Sequence, residues 1–128
     1  MRRFIRWLAG LVLISLVAAA AGASTAKRCI TVLYPNSPGV HFDFEYYKSH
    51  HIPLIKRLYG RGVAKLELRR GIASQDGSPP TYVAVVNIWI GSQKVFDEAT
   101  AQHAKDLIAD VPNFTNGHPV IQTDEIVY

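Results

Sequence analysis

The sequence predicts an α+β protein: a ferredoxin-like βαββαβ sandwich whose four-stranded antiparallel sheet carries two helices on one face. Three observations predict it. Segments rich in β-formers and segments with helical spacing follow one another as strand, helix, strand, strand, helix, strand. Each helical stretch opens on a capping residue and carries one apolar stripe. The strand Tyr82 to Ile90 is apolar on both parities, with Tyr82, Ala84, Val86 and Ile88 on one and Val83, Val85 and Trp89 on the other. A strand of that kind is covered on both faces. Helices cover one side of the sheet, and a second copy of the sheet is the economical cover for the other, because a large exposed apolar face is a liability. A homodimer paired through its sheet faces is therefore expected.

Before the first strand lies a leader. Met1 to Arg6 holds three Arg and no acid, Trp7 to Ala21 is apolar apart from Gly10 and Ser15, and Ala21-Gly22-Ala23 is a small-x-small site. These are the parts of a secretory signal peptide. Residues 1–23 are expected to be removed and residues 24–128 to form one domain, exported to the periplasm or beyond. A retained anchor is the alternative, but the run falls short of the ~20 apolar residues that cross a bilayer core. Cys29 is no lipoprotein cysteine, since Lys27-Arg28 precedes it.

In the mature chain, Ile30 to Tyr34 is β-rich and ends at Pro35. Asp43 caps a helix running to about Tyr59, with Glu45 in its first turn, and Gly60 and Gly62 stop it. Lys65 to Arg69 alternates as a strand with one wet face. A turn-rich connection from Ser74 to Pro80 leads into the doubly apolar strand. Ser92 caps the second helix, to about Ala109; a polar loop, Asp110–His118, and a closing strand, Pro119–Tyr128, complete the chain.

Charge and composition remove several function classes. The chain holds 14 basic and 10 acidic side chains, for a net +4. Three of the positive charges leave with the leader, so the domain is close to neutral and nucleic acid is excluded as a partner. No membrane partner is expected once the leader is gone. A single Cys excludes a disulfide framework and multi-Cys metal sites. No HExxH spacing and no glycine-rich phosphate loop occur, so neither a metal nor a nucleotide cofactor is expected. Cys29 reads as a small buried hydrophobe.

The chemistry left to the chain rests on histidine, whose ordinary pKa near 6.5 suits proton transfer. On the first helix Phe44, Tyr47, His51, Leu54, Ile55 and Leu58 share one stripe, whereas Tyr46, His50, Pro53 and Arg57 lie on another side. His51 therefore points inward with Tyr47 one turn before it, and His50 points out. Pro53 interrupts the backbone ladder beside this pair. On the second helix Phe96, Ala99, His103 and Leu107 form the matching stripe. Tyr47, His51 and His103 are the candidate catalytic residues; a core histidine bonded to a backbone carbonyl is the competing reading of His51.

The segment from Phe42 to Leu54, FDFEYYKSHHIPL, resembles the signature of the EthD family, named from ethyl tert-butyl ether degradation, through Phe42-Asp43, Tyr46-Tyr47, His51 and Pro53-Leu54. His103-Ala104, the run from Asp110 to Asn116 and Pro119 to Gln122 are similar to small bacterial members, so the resemblance spans about residues 29–128. It implies a dimeric α+β barrel of ferredoxin-like subunits. It implies no single reaction: relatives on this fold include cofactor-independent oxygenases, polyketide cyclases, decarboxylases and haem-handling proteins, and members are often labelled reductase or oxidoreductase. Export departs from the mostly cytoplasmic pattern expected of the family. Three readings stand: an enzyme of oxidoreductase or cyclase type acting on a small hydrophobic or aromatic metabolite without a bound cofactor, a non-catalytic periplasmic binder of such a compound, and a purely structural dimer.

Overall fold

The computed structural model describes residues 27–128. The expected leader, residues 1–23, lies outside the described residues. Strand β1 (Arg28–Pro35) is followed by a continuous helical rod made of α1 (Phe44–Tyr46), a π-helical turn (Tyr47–His51) and α2 (Ile52–Tyr59). After a 3-10 turn (Gly60–Gly62) come β2 (Val63–Arg70), β3 (Tyr82–Ile90), helix α3 (Gln93–Asp110), a second 3-10 turn (Val111–Asn113) and β4 (Val120–Glu125). The sheet runs β2-β3-β1-β4 with every neighbouring pair antiparallel. This is the βαββαβ sandwich the sequence predicts, with the rod and α3 as its two helices.

Both helical caps form. Asp43 Oδ1 accepts the Tyr46 N–H at 2.9 Å, and Ser92 Oγ accepts the Val95 N–H at 3.4 Å. The rod ends at Gly60, whose φ of +48° suits a residue without a Cβ. Pro53 produces a widened turn rather than a simple kink. It has no N–H to return to the preceding turn, and the Ile52 N–H closes a five-residue loop onto the Tyr47 carbonyl instead. Gly62 lies so close to α3 that a Cβ there would stand 2.9 Å from the Phe96 nitrogen.

The core sits between the rod and the inner sheet face. Val32, Tyr34, Ala84, Val86, Tyr47 and Phe114 form its main cluster, and Ile55, Tyr59 and Ala99 a second one. Phe114 is fully buried although it belongs to the loop expected to be polar. Its ring packs against those of Tyr34, Phe42, Tyr47 and His51. The outer parity of β3 (Val83, Val85, Trp89) is half-buried, and Cys29 is buried and free. The closing strand is shorter than expected and stops at Glu125.

Candidate functional site

Four residues at intervals of four, Tyr47, His51, Ile55 and Tyr59, are the buried face of the rod. All four line a cavity of about 720 Å³ between the inner sheet face and α3. Ile30, Val32 and Tyr34 of β1 form its floor, and Phe96, Ala104 and Leu107 its far wall. Ile108 and Ile121, both well exposed, stand at its open side. No Asp, Glu, Lys or Arg lines it. Such a cavity accommodates a drug-sized molecule and has no counter-ion for a charged one.

Two histidines line this cavity, His51 and His118, and His51 is the one held by a carboxylate. Its Nδ1 lies 2.7 Å from Asp110 Oδ2, and both side chains are largely buried. Asp110 Oδ1 also accepts from the Tyr46 hydroxyl at 2.7 Å and from Asn113 Nδ2 at 3.0 Å. Burial pushes the Asp110 carboxyl up, but the hydrogen bonds from Asn113, His51 and Tyr46 outweigh it and hold the carboxyl below its ordinary value. Burial likewise drives the His51 imidazole below its usual 6.5, against the pull of Asp110. At neutral pH the pair is therefore a carboxylate and a neutral imidazole. A carboxylate can only accept, so the proton sits on Nδ1 and the Nε2 lone pair is free. No buried polar side-chain atom among the described residues lacks a partner, and no protein group bonds Nε2. Nε2 therefore opens onto the cavity rather than into packed protein.

The two tyrosines beside His51 play different parts. Tyr47 is almost wholly buried, its hydroxyl interacts with that of Tyr34, and burial raises both phenols, Tyr34 to about 12. Both stay neutral donors at any ordinary pH. Tyr46, on the outer side of the rod, stacks on His50 at 4.6 Å and reaches Asp110, whose hydrogen bond raises its phenol.

The structure thus brings Tyr47 and His51 together at the cavity, with His50 exposed as expected. His103 does not join them. It is absent from the cavity lining and pairs with Asp106 on its own helix at 3.3 Å. The cavity-facing stripe of α3 is Phe96, Thr100, Ala104 and Leu107, rotated from the one expected. Sequence spacing also missed Asp110, which lies 59 residues from His51 and looked like the first residue of a loop. It missed Tyr59 too, although the four-residue interval from Tyr47 through His51 and Ile55 leads to it. Among the described residues no cluster of His, Cys, Asp and Glu has metal-binding geometry, and no helix is long and apolar enough to cross a membrane.

Comparison with known proteins places this geometry in context. The EthD domain model matches residues 41–118, the stretch that contains His51, Asp110 and Phe114. An EthD-like protein from Ralstonia eutropha is 32% identical, with a TM-score of 0.74 over 80% of this chain and 94% of that one. An ethyl tert-butyl ether degradation (EthD) family protein from Bacillus halodurans is 16% identical, with a TM-score of 0.61 over 79% of this chain and 99% of its own. A putative antibiotic biosynthesis monooxygenase from Bordetella bronchiseptica shares the fold at 18% identity, with a TM-score of 0.51 over 80% of this chain and 98% of its own. No curated protein matches the sequence.

Proposed function

The chain belongs to the EthD family, and from that premise we propose that it is a small acid–base enzyme. Its substrate is an uncharged hydrophobic or aromatic metabolite, and His51 is its general base. The observation that carries this reading is the split of the His51 ring: Asp110 holds Nδ1 at 2.7 Å, and Nε2 is left to an apolar cavity. A histidine kept for packing alone has both nitrogens engaged by protein. Here the carboxylate fixes the tautomer and orientation, and it stabilises the imidazolium that forms when Nε2 takes a proton. The bond that breaks is an acidic O–H or C–H of the substrate; its electron pair stays on the substrate as a phenolate or enolate. Such an anion is the starting point of both oxidation and cyclisation, the two reaction types expected for the chain. The Tyr47 hydroxyl donates to that of Tyr34, which leaves the neutral Tyr34 phenol with a proton to offer the negative oxygen.

Export and dimerisation belong to the same proposal. The leader-like residues 1–23 support a periplasmic or secreted site of action. Half-buried Leu33, Val83 and Val85 on the outer sheet face support pairing with a second copy.

The test is proton exchange, which needs no co-reactant. Incubated with 2-tetralone in D2O, the protein is expected to speed deuterium entry at the benzylic C1 position, read by proton NMR. His51→Gln is expected to lose the acceleration by roughly 10²-fold or more. An equal rate for both proteins overturns catalysis, and retained tetralone binding in both would then favour a non-catalytic binder.

A further inference from the structure

The cavity has a second polar pole that the proton-transfer reading does not use. Tyr59 is buried, lines the cavity, and lies eight residues beyond His51 on the same face of the rod. Eight helical residues advance roughly 12 Å along the axis, and side chains lean back toward the N-terminus, so the phenol is aimed along the cavity toward His51. Its hydroxyl has one protein neighbour, Thr100 Oγ1, at 3.4 Å. Thr100 has a single hydroxyl proton, and the Phe96 carbonyl takes it at 2.9 Å. The contact at 3.4 Å is too long to occupy the phenol well. Tyr59 therefore keeps a donor in hand, at an end of the cavity walled by Ile30, Ile55, Ile88 and Phe96, with Thr100 and Thr123, the cross-strand neighbour of Ile30, as the other polar side chains.

We propose that Tyr59 determines specificity by donating a hydrogen bond to a neutral acceptor oxygen, a ketone, quinone or ether, at the end of the substrate remote from the proton that His51 removes. The inference rests on the proposed function and narrows its substrate class. The substrate is a flat molecule of two or three rings, acidic at one end and oxygenated at the other. A carboxylate at the far end is disfavoured, since no Lys or Arg lines the cavity to receive it. A plain hydrocarbon end binds less well, because it leaves the phenol unpaired.

Three probes of one shape test this: 6-acetyl-2-naphthol, 6-ethyl-2-naphthol and 2-naphthol, titrated against the wild-type protein and Tyr59→Phe with fluorescence of the naphthol as readout. The wild type is expected to bind the acetyl compound roughly fivefold to tenfold more tightly than the ethyl compound. Tyr59→Phe is expected to erase that preference, weakening binding of the acetyl compound and strengthening that of the ethyl compound, which no longer leaves a phenol unpaired. Thr100→Val, which removes the hydroxyl within reach of the phenol, is expected to keep or enlarge the preference. No preference in the wild type, or the same preference in Tyr59→Phe, overturns the role of Tyr59 and leaves His51 untouched. Failure of all three naphthols to bind the wild type overturns the proposed function and this inference together.

Discussion

At the scale of single residues, the site depends on a balance between burial and hydrogen bonding. His51 loses solvation in the cavity wall, and Asp110 only partly restores its affinity for a proton, so its pKa falls below 6.5. The folded state then binds fewer protons than the unfolded chain below that value, and stability rises with pH across the window. The stabilisation is complete above 6.5, is lost as the pH falls from there to the folded pKa, and changes no further below it. Asp110 adds a second loss in the same direction as the pH drops below its ordinary 3.8. The melting temperature of the wild type is therefore expected to fall between pH 7 and pH 5, and that of His51→Gln to stay nearly level there, as differential scanning calorimetry would show. Catalysis by neutral imidazole follows the same limb, the exchange rate rising with pH through the lowered His51 pKa to a plateau above it. The inward turn of His51 was legible in the helical spacing. Its partner was not: Asp110 meets it through the packing of α3 against the rod, and local periodicity holds no information about a contact 59 residues away.

At the scale of elements, sequence signals worked where one local interaction decides. The caps Asp43 and Ser92 stand where they were expected, and β3 has the expected bounds because its run of β-formers is uninterrupted. They failed where packing decides. Helix α3 has Ala99 as its one buried residue and carries polar residues on most sides, so its stripe gave a poor phase and His103 was placed inward. The loop after it looked polar, yet Phe114 anchors the aromatic cluster, a role set by neighbours far away in the chain. The contact between the rod's end and α3 can be tested at Gly62. A Cβ there meets the backbone of Phe96 at 2.9 and 3.0 Å, and backbone cannot rotate aside. Gly62→Ala is expected to cost about 1–3 kcal/mol, a drop of several degrees in melting temperature.

At the scale of the whole molecule, the sheet divides the protein into a finished side and an unfinished one. Under the helices Ala84 and Val86 are completely buried. On the other side Leu33 and Val85 pair across β1 and β3 and stay half-exposed, beside a polar band in which Thr31 bonds Asp124. If two copies close that side, Val85→Lys is expected to shift sedimentation in the ultracentrifuge from dimer to monomer and to leave naphthol binding in place, since Val85 does not line the cavity. A wild type that sediments as a monomer at every concentration would remove the dimer from the proposal. The doubly apolar third strand pointed to this face from sequence alone.

The widened turn before Pro53 has a consequence for how the chain can change. A π turn is, in effect, an α-helix that has swallowed one surplus residue without passing the shift on to its neighbours. The rod behind it, from Ile52 to Tyr59, would keep its seat on the sheet if that surplus were deleted. Tyr47 and His51 would then stand three residues apart instead of four. The surplus residue therefore decides which side chains the rod presents to the cavity and to the core cluster around Tyr47.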